Sequence, residues 1–209
     1  MTDEPQNFST SRLGQIMLEG MEEIVGRSGV RAVLNTEQLS RFYRGGKEKV
    51  ETETDAPFSE LSTIQSALEE VYGKRGGRGV TLRAGRASFK YILRNYGASL
   101  GLTDLNYRLL PAPVRLKTGL AALARLFSDL EGGQVEIEQT ENAWIWRSQK
   151  CPFCWQRKSN EPVCTFTVGL LQEFLAWNSG GKVFHVEEVE CRAKSKPACV
   201  FRIDAQPLE

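Results

Sequence analysis

The sequence predicts an α+β fold, in which N-terminal helices pack on a four-stranded antiparallel sheet made of two β-hairpins with an intervening helix. Two observations favour it. Apolar residues recur at helical spacing through the first part of the chain, and after Gly132-Gly133 the period changes to the alternation that is typical of strands. With 209 residues the chain can form one good-sized core. We therefore expect a single domain over 1–209, with a helical part (9–130) and a sheet part (131–205).

The first helices are predicted from N-caps and glycines. A helix starts after Ser9-Thr10-Ser11 and ends at Gly26, and a second, shorter one starts near Val30 and ends near Gly45-Gly46. Residues 47–56 are polar and charged, so we expect a surface loop there.

Two or three helices complete the first part. One begins at Pro57 and ends at Gly73, and the glycine-rich stretch 76–79 is expected to form a turn before the next. Another follows Pro111 and Pro113.

Two hairpins are expected in the second part. In the first, Val135 and Ile137 alternate with polar residues, and 143–146 form the return strand after a turn at Glu141-Asn142. A helix over 168–177 then separates it from the second hairpin. The strands of that hairpin are expected at 183–190 and 199–204.

Composition argues against several classes of function. With 27 basic and 26 acidic residues the net charge is +1, so we expect no nucleic-acid partner. No run of eighteen apolar residues is present, which predicts no membrane span. The N-terminus is polar and acidic and lacks the apolar segment of a signal peptide, which favours a cytoplasmic location.

The five cysteines all fall in the last 59 residues, and four positions there suit a metal. Thiolates and a carboxylate are ligands that four-coordinate Zn²⁺ accepts, and a closed set of four is typical of a structural site. The predicted hairpin brings the last two cysteines together at its tip. The candidate metal ligands are Cys164, Glu188, Cys191 and Cys199.

Other interpretations of the cysteines remain open at this point. Cys164 and Cys199 are equally explained as small buried apolar residues. Cys151 and Cys154 form a Cys-x2-Cys pair that can join two of the others in an all-cysteine zinc site, or act as a redox pair. The βαβ context of a thioredoxin-like redox motif is missing.

Aromatic residues suggest either a pocket or a packed core. Trp144 and Trp146 share one face of their strand, and Phe89 and Phe127 lie on helices that can cover that face. No Ser/His/Asp set, dinucleotide fingerprint or phosphate loop is found, so the sequence gives no support for an enzyme.

Several segments together resemble the 4-vinyl reductase domain family, most strongly over 130–205. They are Leu82 to Phe89, the Cys-Pro-Phe-Cys and Pro-Val-Cys run, Gly169-Leu170-Leu171, and the ending Val186 to Cys191 with Ala198 to Ile203. That family shares a fold with small subunits of the TRAPP tethering complex and is similar to the sensor domain of phenol-responsive transcription activators. In those sensors a Cys…Glu-x2-Cys-x7-Cys pattern holds zinc beside a pocket for an aromatic ligand, and Cys164, Glu188, Cys191 and Cys199 match it.

Two departures from the family limit what the resemblance implies. Family members usually carry Gly-Asp between the last two cysteines, where this chain has Ser195-Lys196. The phenol sensors bind their ligand through an upstream histidine, whereas the only histidine here is His185, which we expect on a strand at the surface or next to the metal ligands.

The resemblance implies a non-catalytic, zinc-stabilised domain that binds a small hydrophobic molecule, such as a hydrocarbon, an aromatic compound or a tetrapyrrole, and forms a homodimer. Two alternatives are a carrier that serves a tetrapyrrole vinyl reductase in (bacterio)chlorophyll synthesis and a dimerisation module of the TRAPP-subunit type.

Overall fold

The computed structural model describes residues 12–36, 56–131 and 134–208. The predicted caps at 9–11, the helix end at Gly45-Gly46, most of the 47–56 loop and the break at Gly132-Gly133 lie outside these ranges. Residue 56 already belongs to a helix. The helices are α1 (Arg12–Leu34), α2 (Ala56–Tyr96), α3 (Leu105–Arg108), α4 (Ala112–Glu131) and α5 (Thr165–Ser179).

Glycines with positive φ interrupt the first two helices. Gly26 (φ 69°, ψ 171°) divides α1, and Gly73 (φ 73°, ψ 158°) divides α2, as the sequence predicts. Glycine adopts this left-handed region without the steric cost that a Cβ brings.

The turn predicted at 76–79 is wrong, because these residues are helical. A Cβ on Gly77 would lie 2.5 Å from the Cα of Glu69. This glycine therefore allows the two parts of α2 to approach closely beyond the bend at Gly73, and close packing rather than a turn explains it.

The four strands form one antiparallel sheet in the order β1-β2-β4-β3. In the two central strands, Trp146 lies opposite Phe201 and Trp144 opposite Ile203, and all four side chains are buried. The strands are β1 (Val135–Gln139), β2 (Ala143–Ser148), β3 (Phe184–Glu190) and β4 (Cys199–Pro207).

The helices form layers over one face of the sheet. α5 packs on β3 and α4 on β1, α2 packs on α5, and α1 packs on α2. The predicted α+β class, with helices on a four-stranded antiparallel sheet, is confirmed. Among the described residues, no helix has the length and apolar character needed to cross a membrane.

The contact between α2 and α5 depends on two glycines. A Cβ on Gly169 would lie 2.0 Å from the carbonyl oxygen of Leu82, and one on Gly85 would lie 2.1 Å from that of Phe166. The two backbones therefore touch where the helices cross. This contact fixes the start of α5, which carries part of the candidate site.

Candidate metal centre and aromatic layer

All five cysteines are buried together between the sheet and the start of α5, and all are free thiols. We call this set the thiol cluster. Cys151 and Cys154 flank a short 3-10 turn, Cys164 is the N-cap of α5, and the last two lie at facing ends of β3 and β4. The thiol cluster consists of Cys151, Cys154, Cys164, Cys191 and Cys199.

The sulfur atoms of the cluster are in direct contact. The Sγ of Cys164 lies 3.5 Å from that of Cys151, 3.7 Å from that of Cys199 and 3.9 Å from that of Cys191. The Sγ atoms of Cys154 and Cys199 are 3.3 Å apart. Cys164 therefore occupies the centre of the cluster.

Glu188 adds a carboxylate to the cluster from β3. It is only 6% exposed, and its Oε2 accepts a 2.7 Å hydrogen bond from the backbone amide of Cys164. Its Oε1 is buried and has no hydrogen-bond partner among the described residues. Burial raises the pKa of this carboxyl group. A buried carboxylate with an unpartnered oxygen is costly unless a cation or a proton neutralises it.

Two overlapping groups of four side chains have the compactness that a metal ion needs, with ligand atoms within 4.8 Å of one another. The first ligand group is Cys151, Cys154, Cys164 and Cys199, and the second ligand group is Cys164, Glu188, Cys191 and Cys199.

The donor atoms fit zinc in type and spacing. A Zn–S bond of about 2.3 Å implies sulfur atoms about 3.8 Å apart in a tetrahedron, and the Sγ distances of 3.3 to 3.9 Å are close to that value. Burial raises the pKa of Cys151 to about 12 and that of Cys164 well above its usual range. Without a cation these thiols stay protonated, so metal binding here would release protons.

The structure brings the four predicted metal ligands together, and it also places Cys151 and Cys154 against them. The sequence left the role of that pair open. Two residues of α2 that sequence analysis missed hold the intervening loop. Gln65, which is 1% exposed, donates a 2.5 Å hydrogen bond from Nε2 to the carbonyl of Phe153, and Glu69 pairs with Arg157 at 2.9 Å.

The turn between the last two cysteines forms without glycine. Ser195 adopts a left-handed conformation (φ 61°, ψ 26°) after the 3-10 turn Arg192–Lys194. The amide of Arg192 donates a hydrogen bond to the Sγ of Cys199 at 3.4 Å. The departure from the family pattern is thus accommodated at a modest backbone cost.

His185 lies away from the ligand groups. Its side chain is 50% exposed on β3, and its Nδ1 is 3.4 Å from a carboxylate oxygen of Asp204. This is the surface strand position that the sequence favours.

The four predicted pocket residues are buried in the core. Trp146 packs edge-on against Phe127, with ring centroids 5.6 Å apart. Trp144 is 5% exposed on the same strand face. Phe89 instead contacts Trp177 of α5, at 5.5 Å between centroids. The four side chains therefore lie in two packed aromatic groups, which together we call the aromatic layer.

An open groove reaches one of these groups from the surface. It has a volume of about 470 Å³ and lies between α1, α2 and α5. Phe89, Leu93 and Trp177 contribute to its apolar lining, and Arg83, Arg86 and Lys90 lie at its edges. Phe89 thus belongs both to the groove and to the buried aromatic layer.

Comparison with known proteins agrees with this architecture. The family model of the 4-vinyl reductase domain matches residues 144–205, which include β2, α5, β3, the whole thiol cluster and most of β4. No curated protein sequence matches the chain.

Solved structures share the fold at low sequence identity. An H-NOX protein from S. oneidensis, described in its Fe(II)NO ligation state, has a TM-score of 0.56 at 16% identity and covers 93% of this chain and 98% of its own. An unliganded Fe(II) H-NOX protein from K. algicida has a TM-score of 0.52 at 15% identity, covering 94% and 98%. The phenol-responsive sensory domain of the transcription activator PoxR, solved with phenol, has a TM-score of 0.51 at 16% identity, covering 70% and 73%.

These likenesses establish the fold, and the domain match gives the family of its C-terminal part. Residues 144–205 are a 4-vinyl reductase domain, and the resemblance to that family is confirmed.

Proposed function

We propose that this protein is a non-catalytic, zinc-stabilised domain that binds a small hydrophobic molecule. The observation that carries the proposal is the second ligand group, in which three thiols and a carboxylate from three separate elements are buried within 4.8 Å of one another. Cys164 would hold zinc from the start of α5, Glu188 and Cys191 from the end of β3, and Cys199 from the start of β4.

The role proposed for zinc is structural. When bound, zinc supplies a cross-link between the hairpin and α5, and four protein ligands leave no position for a catalytic water. The N-terminus of α5 carries partial positive charge, which favours the thiolate form of Cys164. The same helix carries Phe174 and Trp177 in the aromatic layer. A cross-link at its first turn would therefore fix one wall of the ligand site.

We place the ligand in the aromatic layer, with access from the groove at Phe89. Apolar and aromatic linings are typical of small-molecule sites. The groove volume of about 470 Å³ suits a molecule of one to three rings. Trp144, Trp146 and Phe127 would meet a ligand that enters more deeply, after Phe89 moves aside. The PoxR domain, which shares the fold, is described with phenol bound, and this supports a hydrophobic or aromatic ligand class.

The proposal includes no histidine-bound haem. The single histidine of the chain, His185, is half exposed on the sheet and pairs with Asp204. A cytoplasmic homodimer remains part of the proposal, and gel filtration at micromolar concentration tests the dimer directly.

Metal content measured by mass spectrometry tests the metal half of the proposal. Protein purified without chelator or nickel should contain zinc, and Cys199→Ser should lose it and unfold at lower temperature. Ala198→Ser is the matched control, because it adds a buried hydroxyl beside the cluster without removing a ligand. Equal zinc content and thermal stability in parent and Cys199→Ser would refute the structural role.

Tryptophan fluorescence tests the ligand half. Phenol and a hydrophobic naphthalene dye should change the emission of the parent protein in a saturable way, and Phe89→Ala should weaken the change. A porphyrin that binds with a shifted absorbance spectrum, while phenol and the dye do not bind, would favour the tetrapyrrole carrier instead.

A further inference from the structure

We propose that the thiol cluster holds two metal ions, bridged by the thiolates of Cys164 and Cys199. The first ion would be bound by Cys151, Cys154 and the two bridging cysteines. The second would be bound by Glu188, Cys191 and the same two bridges. This proposal extends the zinc site of the proposed function and rests on it, because both use the second ligand group.

The composition of the two ligand groups carries the inference. Each contains four side chains, and they have Cys164 and Cys199 in common. Two tetrahedra that share one edge have six corners, and the cluster supplies six ligands: five thiols and one carboxylate. Thiolate sulfur has lone pairs enough to bind two ions at once. The arrangement therefore matches an edge-sharing pair with no ligand left over.

The distances agree with a shared edge. Cys164 and Cys199, the proposed bridges, have their Sγ atoms 3.7 Å apart, against about 3.8 Å for an edge of a zinc–thiolate tetrahedron. On one side of this edge lie Cys151, at 3.5 Å from Cys164, and Cys154, at 3.3 Å from Cys199. On the other side lies Cys191, at 3.9 Å from Cys164. Each bridge thus contacts terminal ligands of the first ion, and Cys164 also contacts one of the second.

A single ion explains the cluster less completely. An ion in the second ligand group leaves Cys151 and Cys154 buried beside it without a role, at 1% and 3% exposure. An ion in the first leaves the Oε1 of Glu188 buried without a partner among the residues that the structure describes. Unsatisfied buried polar groups are costly, and two ions remove both problems.

Charge balance also permits two divalent ions. Five thiolates and one carboxylate carry six negative charges, and two divalent ions carry four positive ones. The net charge of −2 equals that of a single zinc ion bound by four thiolates, which is a common structural site. Binding exchanges the protons of the thiols for the ions, so no oxidant or reductant is needed.

Native mass spectrometry of the zinc-loaded chain tests the number of ions. The parent should carry two, and Cys151→Ser and Cys191→Ser should each carry one. Cys151→Ser keeps every member of the second ligand group, and Cys191→Ser keeps every member of the first. One ion in the parent would overturn the dinuclear centre and leave the single zinc site intact. No ion would overturn both proposals, and iron with acid-labile sulfide would overturn the dinuclear thiolate centre.

Cadmium NMR on the unsubstituted chain tests the bridges without depending on a variant that folds. Protein loaded with ¹¹³Cd should give two resonances that are mutually coupled through sulfur. The all-sulfur site should resonate downfield of the site that contains Glu188. Two uncoupled resonances would show separate sites and overturn the bridging role of Cys164 and Cys199.

Discussion

The backbone amide of Cys164 donates a 2.7 Å hydrogen bond to Oε2 of Glu188, so a carboxylate from β3 caps the N-terminus of α5. The first amides of a helix have no partner within the helix, and a negative charge there is favourable. Glu188 thus has two functions in one position. It joins the hairpin to α5 without metal, and its other oxygen, which is buried and has no hydrogen-bond partner in the described part of the chain, can act as a ligand.

Substitution of Glu188 should separate these two functions. Glu188→Gln keeps an oxygen that can accept the hydrogen bond from Cys164 but loses the negative charge. We expect the metal-free protein to keep most of its stability and the affinity for zinc to fall at least about tenfold, because a neutral amide oxygen is a weaker ligand than a carboxylate. Glu188→Ala should lose both, with about 1–3 kcal/mol of unfolding free energy lost in the metal-free protein because the amide is left unpaired.

Chemical denaturation in the presence of chelator measures the first quantity, and competition with a zinc dye measures the second. Glu187→Gln is the matched control, because this neighbouring side chain is exposed and should change neither. If Glu188→Gln binds zinc as tightly as the parent, Glu188 is a cap and not a ligand.

Gly169→Ala should be strongly destabilising. Its Cβ would lie 2.0 Å from a backbone carbonyl oxygen of α2, which cannot turn away as a flexible side chain can. Forced separation of the two helices should cost about 3 kcal/mol or more. Gly79→Ala is the control. Gly79 is also in α2 but has no neighbour within 4 Å of its Cβ position, so alanine should be neutral or stabilise by up to about 1 kcal/mol.

Urea unfolding of the two variants gives both values. Similar stability of Gly169→Ala and the parent would contradict the close approach of α2 and α5.

The hairpin half of the candidate site could be predicted from local pattern. Alternating residues set β3 and β4, and antiparallel pairing then brings Cys191 near Cys199. The position of Cys151 and Cys154 could not, because their loop has no regular period. Contacts with α2 hold that loop, and Gln65 and Phe153 are 88 residues apart in the sequence.

Glycine-rich segments show the same limit. Breaks are predicted at Gly26 and Gly73, and both glycines adopt positive φ. Gly76 to Gly79 give the same local signal, yet they are helical. The difference comes from packing, since Gly77 lies against Leu68 and Glu69. A pattern of glycines alone does not distinguish conformational need from close contact.

Phe127→Ala should destabilise the core by about 3–5 kcal/mol, as expected for removal of a large buried aromatic side chain. Phe127 is fully buried and packs edge-on against Trp146. Thermal unfolding followed by circular dichroism measures the loss. Leu109→Ala is the control, since Leu109 is 72% exposed and its truncation should change stability little. An equal effect of the two substitutions would contradict the packed core.

The last prediction concerns Tyr107, which holds α3 against α5 through a buried hydroxyl. This hydroxyl donates a 2.7 Å hydrogen bond to Oδ1 of Asn178, and the ring stacks on Trp177. Burial raises the pKa of Tyr107 to about 12, whereas an unfolded chain has a tyrosine pKa of about 10.

Because the folded state holds this proton more tightly, the contribution of Tyr107 to stability is complete below about pH 10. It should be lost as the pH rises through about 12, since the unfolded state releases its proton first. Tyr107→Phe has no such proton. We expect the variant to be less stable than the parent at about pH 8, because Asn178 loses a hydrogen bond, and the gap to narrow between about pH 10 and 12. Paired unfolding curves measure this gap, and comparison at each pH cancels the titration of lysines and other tyrosines. A gap that stays constant over that range would mean that Tyr107 ionises equally in both states and that its hydroxyl is not held in the folded protein.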